Sequence, residues 1–179
     1  MPSKAYFKAL DQMREHHVTR KTYSGNGCIK HREALVAFSK EIGAASALDY
    51  GCGKGHQYCP GMQKDGYDLV ADLGYTPFAY DPAVPEFNVL PEIGTKFDLV
   101  FCVDVLECVP QKDVPWALEH LASFATKGIF ITVSSYPSKK TLPNGSNAHI
   151  TVQPIEWWQE KFDALGAANP DLKIMALVG

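Results

Sequence analysis

The chain has 179 residues, of which 46% are hydrophobic and 21% charged, a composition typical of a single globular domain. Its net charge of −3 at pH 7 argues against a non-specific nucleic-acid binder, because such proteins carry a basic surface. The sequence has no apolar run of membrane-spanning length, and its charged N-terminus is unlike a signal peptide. We therefore expect a soluble protein that contacts neither nucleic acid nor a membrane.

The five cysteines indicate neither a disulfide framework nor a zinc site. Five is an odd number, and Cys102 lies inside an apolar run. The pairs Cys28 with His31 and Cys52 with Cys59 lack the ligand spacing of zinc sites. We expect reduced thiols, a cytoplasmic location and no bound metal.

The N-terminal part of the chain is basic and helical in pattern. Residues 1–40 hold eight Lys or Arg against three Asp or Glu. Helical periodicity predicts helices over 4–17 and 29–42, with a turn-rich segment over 18–28 between them. Two interpretations of the charge stay open: a surface that faces an acidic substrate, and the solvated face of a helix.

A predicted strand over 46–50 leads into a glycine-rich turn, LDYGCGKG, at residues 48–55. Glycines at alternate positions let the backbone come close to a ligand that side chains would hold off. The spacing differs from the dinucleotide fingerprint, and Asp49 would repel a pyrophosphate. An ordinary strand–turn–helix joint without a ligand is the alternative.

A helix after this turn cannot continue cleanly past Pro60, and residues 61–74 have no clear assignment.

The remaining elements alternate between strands and helices. They are strands over 77–80, 97–105, 129–133 and 172–178, a helix over 114–126, and a helix that begins at Pro154 with the apolar stripe Ile155, Trp158, Phe162 and Leu165. We expect Asp113 to cap the helix over 114–126 and Lys127-Gly128 to end it. The alternation predicts an α/β fold with a parallel sheet, helices on both faces, and ligands beyond the carboxyl ends of the strands.

Asp81 follows the second of these strands and is a candidate ligand residue. Its two carboxylate oxygens can accept hydrogen bonds from both hydroxyls of a ribose. The alternative is that Asp81 and Pro82 only start a turn, a common role of the Asp-Pro dipeptide.

The polar segment over 134–149 is longer than most loops in compact domains, so we expect it over the active-site edge. Within it, His149 is a candidate general base, and a structural role for the same residue stays equally open. Lys139 and Lys140 are candidates for binding a phosphate or carboxylate of the substrate, with solvated charge as the alternative.

Several of these segments together resemble class I S-adenosylmethionine-dependent methyltransferases. The resemblance covers about residues 46–160 and rests on LDYGCGKG, on YDP at 80–82 and on FDLVFCVDVLE at 97–107. It implies a Rossmann-like, mostly parallel sheet with helices on both faces, in one methyltransferase domain over 1–179. Residues 1–42 would form an N-terminal helical cap and residues 43–179 the Rossmann-like core.

The resemblance also implies S-adenosylmethionine as cofactor, S-adenosylhomocysteine as product, and a set of binding residues. The implied cofactor-binding residues are Asp49, Tyr50, Gly51, Cys52, Gly53, Gly55, Asp81, Pro82, Asp104 and Val105. Glu107 joins His149 as a candidate catalytic residue for removing the acceptor's proton. Cys108 stands where relatives often carry a histidine, so one base candidate is missing.

Two departures from the family pattern concern the sheet. The segment between Asp81 and the strand that begins at Phe97 is too short for the usual helix and strand, so the third strand is reduced to about 87–90 or missing. No antiparallel last strand fits before Gly179, which leaves a sheet edge that is open or covered by a second copy in a homo-oligomer.

The predicted reaction is methyl transfer to an oxygen or nitrogen of a small polar acceptor, such as a sugar, a sugar nucleotide or another metabolite. The chain lacks the Asn/Asp/Ser-Pro-Pro-aromatic motif of many enzymes that methylate nucleic-acid bases. Two alternatives stay open: a different use of the cofactor, by aminopropyl transfer or cofactor cleavage, and a non-catalytic cofactor-binding subunit.

Overall fold

The computed structural model describes residues 1–19, 23–59, 61–62 and 66–179. The helices in this part of the chain are α1 (Lys4–Thr19), α2 (Arg32–Glu41), α3 (Leu69–Leu73), α4 (Val114–Ala122) and α5 (Ile155–Ala168). The strands are β1 (Ala47–Tyr50), β2 (Phe78–Tyr80), β3 (Phe97–Val103), β4 (Ala125–Val133) and β5 (Lys173–Val178). None of the described helices combines the length and the apolar character that crossing a membrane requires.

The five strands form one sheet in the order β2-β1-β3-β4-β5, and every neighbouring pair is parallel. The chain runs outward from β1 to β2 and then returns to the other side of β1 with β3. This reversal of strand order opens a crevice at the carboxyl ends of β1 and β3, where ligands bind in such sheets. The predicted α/β, Rossmann-like fold is confirmed.

Alternating residues of β3 bury both faces of the sheet. Val100 and Cys102 belong to the core that holds α4 and α5, whereas Leu99, Phe101 and Val103 belong to the core that holds α2 and α3. A strand covered on both sides has no polar face, which explains the unbroken apolar run over 99–103 that follows Asp98. Helices on both faces, as predicted, follow from this two-sided burial.

The apolar stripe predicted for α5 is present except at its first residue. Trp158, Phe162 and Leu165 are buried, whereas Ile155 is 51% exposed. Ile155 is the first residue of α5, so it lies at the solvent end of the stripe. Trp157 is partly buried against the same core, consistent with a packing role.

The predicted boundary between α4 and β4 is wrong by several residues. The helix ends at Ala122, and Lys127 and Gly128 lie inside β4 rather than at the helix end. A Cβ atom at Gly128 would lie 2.9 Å from Ile42 Cδ1 and 3.0 Å from Phe38 Cζ, so this glycine lets the strand pack closely on α2. Tertiary pairing therefore overrides the local helical pattern.

The predicted N-cap of α4 is right in position, because Asp113 directly precedes the helix, but its side chain does not cap it. The Asp113 carboxylate makes no capping bond and instead accepts hydrogen bonds from the N–H and the Oγ–H of Ser3, at 2.7 and 2.8 Å. This side chain therefore fastens the beginning of α1 to the body of the domain.

The glycine-rich turn is followed by a short 3-10 turn over His56–Tyr58 rather than by a helix. The predicted break at Pro60 and part of the turn over 18–28 lie outside the described residues. Further on, Asp68 caps α3 by accepting the N–H of Ala71, and Gly74 ends it with a φ of 80°.

The sheet is shortened between β2 and β3, as predicted. Between β2 and β3, where every residue is described, Pro85–Phe87 forms a 3-10 turn and no strand is present. At the other side, β5 is the edge strand and runs parallel to β4. A second copy covering that edge stays a prediction.

Candidate functional site

A cavity of about 680 Å³ lies at the carboxyl ends of β1 to β4. This volume is in the range of about 300–1,000 Å³ that small-molecule sites occupy. The strand ends contribute Tyr50, Gly51, Gly53, Asp81, Pro82, Ala83, Val103, Asp104, Val105, Leu106 and Ser134. The opposite wall comes from α1, from residues 23–30 and from the segment over 134–149, so three distant parts of the chain enclose one space.

Helix α1 forms part of that opposite wall through Tyr6, Leu10, Met13 and His17. Its position is fixed by contacts at several points along its length. The Nε–H of Arg14 donates to the Pro82 carbonyl at 3.1 Å, and the rings of Tyr6 and Trp116 meet edge to face at 5.0 Å. Helix α2, by contrast, packs on the sheet. The division into a cap over 1–42 and a core over 43–179 remains a prediction.

The segment over 23–25 packs on the glycine-rich turn and is joined to it by backbone hydrogen bonds. The N–H groups of Lys54, His56 and Gln57 donate to the carbonyls of Tyr23, Ser24 and Gly25, at 3.0, 2.9 and 3.1 Å. These three backbone bonds place an irregular segment directly on the turn, with both lining the cavity.

The three glycines of the turn are required by the packing of the protein itself. Gly51, Gly53 and Gly55 have φ values of 98°, 59° and 62°, which L side chains rarely adopt. A Cβ atom on Gly51 would lie 2.3 Å from Val105 Cγ2, and one on Gly55 would lie 2.7 Å from Phe87 Cζ. We expected a ligand to need these glycines; the protein atoms already exclude a side chain at each position.

Asp49 holds the turn together from inside. Its Oδ2 accepts hydrogen bonds from Gln57 Nε2 at 2.8 Å and from the Tyr58 hydroxyl at 2.6 Å. Burial raises the pKa of this carboxyl to about 7, and the Tyr58 hydrogen bond opposes the rise. Asp49, Cys52 and Gly55 lie outside the cavity lining, so a direct cofactor contact by these three stays a prediction.

Asp81 joins the turn to the end of β2 and also lines the cavity. The Gly53 N–H donates to Oδ2 and the Ala83 N–H donates to Oδ1, both at 2.8 Å. Burial raises the pKa of Asp81, and the two N–H donors oppose the rise because they favour the ionised form. Each oxygen keeps further acceptor capacity, so the carboxylate can take a diol while it holds the turn.

Asp104 follows β3 with a φ of 54°, which is unusual for a residue with a side chain. Its N–H bonds to the Thr132 carbonyl, and the Thr132 hydroxyl donates to Oδ1 at 2.8 Å. Its Oδ2 lies 3.3 Å from Lys30 Nζ. These contacts hold the carboxylate at the cavity wall, next to Val105.

Glu107 and His149 meet at one end of the cavity. His149 lines the cavity, whereas Glu107 is fully buried behind the lining. Nδ1 of His149 lies 2.7 Å from the Tyr136 carbonyl, and Nε2 lies 4.0 Å from Glu107 Oε1. Because a carbonyl can only accept, Nδ1 carries the proton and Nε2 of the neutral ring has a free lone pair.

Burial sets the protonation state of Glu107. It raises the pKa of this carboxyl to about 8, although the N–H of Ser134 donates to Oε1 at 3.2 Å. Its Oε2 is buried and has no hydrogen-bond partner among the described residues. Because its pKa is about 8, the acid is mostly protonated near neutral pH, and its Oε2 has unused hydrogen-bonding capacity.

The predicted substrate lysines, Lys139 and Lys140, both line the cavity. Lys139 is exposed, whereas Lys140 is partly buried with its Nζ 3.8 Å from the centre of the Tyr23 ring.

Sequence reasoning missed Lys30, Tyr23 and His17 as lining residues, since only folding brings them to the strand ends. The sole sequence signal was the turn-rich character of the segment that carries Tyr23.

A family model described as a methyltransferase domain matches residues 25–168, about four fifths of the chain. The match begins in the segment that lies on the glycine-rich turn and ends with α5, so it contains all the strand ends around the cavity. Neither a curated protein nor a solved structure matches the chain significantly. The chain belongs to this methyltransferase domain family and is a class I, S-adenosylmethionine-dependent methyltransferase.

Proposed function

We propose that this methyltransferase acts on an oxygen or nitrogen atom of a small polar acceptor, such as a sugar, a sugar nucleotide or another metabolite. The observation that carries the proposal is the joint lining of one cavity by the Asp81 carboxylate and the His149 imidazole. The first group suits the cofactor's ribose, and the second suits a proton that leaves the acceptor. Enclosure by α1 and by the segment over 134–149 favours a small acceptor.

The residues at the strand ends fit the implied cofactor. Asp81 would accept the ribose hydroxyls, the backbone at Gly51 and Gly53 would lie along the methionine part, and Asp104 would face its ammonium group. Bound S-adenosylmethionine supplies an electrophilic methyl group that an acceptor atom attacks in line. The protein's contribution is then alignment of the acceptor and exclusion of water. Across the described residues, no group of three or more His, Cys, Asp or Glu is arranged to hold a metal ion.

His149 is the general base in this proposal. The hydrogen bond from Nδ1 to the Tyr136 carbonyl fixes the tautomer, so Nε2 is available to take a proton from a hydroxyl or an amine. Glu107 is a positioning residue behind it, 4.0 Å from Nε2. When Nε2 takes the acceptor's proton, the partial negative charge on Oε1 of Glu107 stabilises the imidazolium, and Glu107 keeps its own proton.

Transfer of a labelled methyl group tests the proposal. The protein is incubated with methyl-labelled S-adenosylmethionine and a panel of sugars, sugar nucleotides, hydroxy acids and amines, and the products are identified by mass. Labelled acceptor and S-adenosylhomocysteine are expected. In His149→Gln the rate should fall about 100-fold or more, in line with the loss of a general base. His31→Gln is the matched control, since His31 does not line the cavity.

Other products would contradict the proposal. Formation of 5′-methylthioadenosine would show aminopropyl transfer or cofactor cleavage, and cofactor binding without turnover on any acceptor would show a non-catalytic subunit. An unchanged rate in His149→Gln would remove His149 as the base.

The proposal also covers the cellular compartment and the oligomeric state of the enzyme. The five cysteines are free, which supports the cytoplasm as the compartment. The edge of β5 has a strand partner on one side only, which supports a homo-oligomer in which a second copy covers it.

A further inference from the structure

The described lining of the cavity carries unpaired positive charge. Among the described residues that line the cavity, three are lysines and two are carboxylates. Lys30 pairs with Asp104, and Asp81 is held by two backbone N–H groups. Within the described chain neither Lys139 nor Lys140 forms an ion pair. The positive sulfonium of the cofactor would add to this excess.

Lys140 is held inside the cavity rather than extended into solvent. Its Nζ lies 3.8 Å from the centre of the Tyr23 ring, within cation–π range. Burial lowers the pKa of Lys140, and the charge of Lys30 lowers it further. A half-buried ammonium without a counter-ion is costly, and an anion from a ligand would relieve that cost.

Two further groups beside Lys140 have unused hydrogen-bonding capacity. Nδ1 of His17 and the hydroxyl of Tyr23 are buried and have no hydrogen-bond partner in the described part of the chain. The two rings lie 5.1 Å apart, both residues line the cavity, and His17 is only 8% exposed. Buried polar groups normally have partners, so unpaired ones in a cavity mark a place for ligand atoms.

The surroundings of His17 are also electropositive. Burial lowers its pKa to about 4, and the charges of Lys54, His16 and Lys140 add to the effect. The Tyr23 phenol is a further titratable group beside this ring, with the ring centres 5.1 Å apart. His17 is therefore neutral at physiological pH, and an anion bound next to it would raise its pKa.

We propose that Lys140, His17 and Tyr23 form an oxyanion subsite that binds a carboxylate or phosphate group of the methyl acceptor. This inference rests on the proposed function and narrows its substrate to an acidic molecule. Lys140 and the candidate base His149 belong to the same segment over 134–149 and line the same cavity, and on this ground we assign the subsite to the acceptor. The amino-acid carboxylate of the cofactor is the other source of an oxyanion, and the test separates the two.

Titration of inorganic phosphate at constant ionic strength, followed by NMR of the histidine rings, tests the subsite. The His17 signal is assigned with His17→Gln, and the titration is run with and without saturating S-adenosylhomocysteine. We expect a saturable shift of the His17 signal and an upward shift of its pKa under both conditions. Lys140→Met, which keeps the side-chain stem over Tyr23, should weaken phosphate binding about tenfold or more. Lys161→Met is the matched control, because Lys161 lies 5.0 Å from the Trp157 ring, outside the cavity.

Three outcomes would overturn the inference, and a fourth would refute the proposed function instead. No saturable response of His17 to phosphate, with or without S-adenosylhomocysteine, removes the subsite. Displacement of S-adenosylhomocysteine by phosphate assigns the site to the cofactor's carboxylate. The same assignment follows if Lys140→Met weakens S-adenosylhomocysteine but leaves 5′-methylthioadenosine, which lacks the amino acid, unaffected. Failure of S-adenosylhomocysteine to bind at all would refute the proposed function, and phosphate titration of the free protein would still test the subsite.

Discussion

Asp81 organises the glycine-rich turn, a role that its sequence position did not reveal, in addition to the ribose contact that the sequence predicts. Its carboxylate accepts the N–H groups of Gly53 and Ala83, so it organises the glycine-rich turn before any ligand arrives. The same side chain lines the cavity at the expected ribose position. A substitution here therefore acts on the shape of the turn as well as on a direct cofactor contact.

Asp81→Asn should weaken S-adenosylhomocysteine binding by about 1–3 kcal/mol, roughly 5- to 150-fold, because a charged acceptor is lost. Isothermal calorimetry measures the affinity, and Asp171→Asn, an exposed site, controls for the change in net charge. A cofactor analogue without ribose hydroxyls should lose much less affinity in the variant. Equal losses for both ligands would leave Asp81 with the structural role alone.

Glu107 links the site to the stability of the whole chain. In the folded protein it keeps its proton up to a pKa of about 8, whereas its ordinary value is 4.5. Its stabilising contribution is therefore complete below about pH 4.5 and is lost as the pH rises towards about 8, because the unfolded chain releases the proton first.

Glu107→Gln should remove this pH dependence. The free energy of unfolding of the variant relative to the wild type should rise by about 3 kcal/mol between pH 5 and pH 8. Urea unfolding at several pH values measures this difference. The contributions of Asp49 and His17 to the pH dependence cancel in the comparison, because both proteins contain these residues. A difference that stays constant with pH would show that Glu107 is ionised in the folded protein.

At the scale of elements, the glycine-rich turn depends on two separate constraints. Gly51 combines a left-handed backbone with a Cβ position 2.3 Å from Val105 Cγ2. Gly43 has a similar left-handed backbone, with a φ of 58°, but no atom within 4 Å of its Cβ position. Comparing the same substitution at the two glycines therefore separates the cost of backbone strain from the cost of steric exclusion.

Gly43→Ala should cost about 1–2 kcal/mol of unfolding free energy, from backbone strain alone. Gly51→Ala should cost about 2–5 kcal/mol, because overpacking against Val105 adds to the strain. Urea unfolding measures both, and Val105→Ala added to Gly51→Ala should recover part of the larger loss. Equal costs for the two substitutions would show that the turn moves away from Val105 easily.

Strands were predicted well, whereas helix ends and side-chain partners were not. Mostly apolar runs such as 97–105 favour buried parallel strands, because a strand covered on both faces needs few polar side chains. The start of β4 at Ala125 was missed, since pairing with β3 decides it and the local residues also suit a helix. Asp113 looks like a helix cap in sequence, but its partner Ser3 is 110 residues away.

The candidate site was predicted where motif residues follow one another in the chain. Gly51, Gly53, Asp81 and Asp104 come from strand ends, and all four line the cavity. His17, Tyr23 and Lys30 could not be found this way, because they reach the cavity only through the placement of α1 and of the segment on the glycine-rich turn. Their positions depend on tertiary contacts that no local pattern encodes.

At the scale of the whole molecule, β5 is an edge strand of the described sheet. Unpaired edges favour association, so we expect a mass of about twice the 19.7 kDa of one chain at micromolar concentration. Sedimentation equilibrium measures the mass over a range of concentrations. A monomer mass throughout that range would rule out the homo-oligomer.

The binding of S-adenosylhomocysteine is the most direct test of the central claim, which is that the cavity at the carboxyl ends of β1 to β4 receives an adenosyl amino acid. Isothermal calorimetry on folded wild-type protein should give saturable binding of one molecule per chain. Gly51→Ala should abolish or strongly weaken it, and Gly43→Ala should leave it intact. Absence of saturable binding by protein that circular dichroism shows to be folded would contradict the claim.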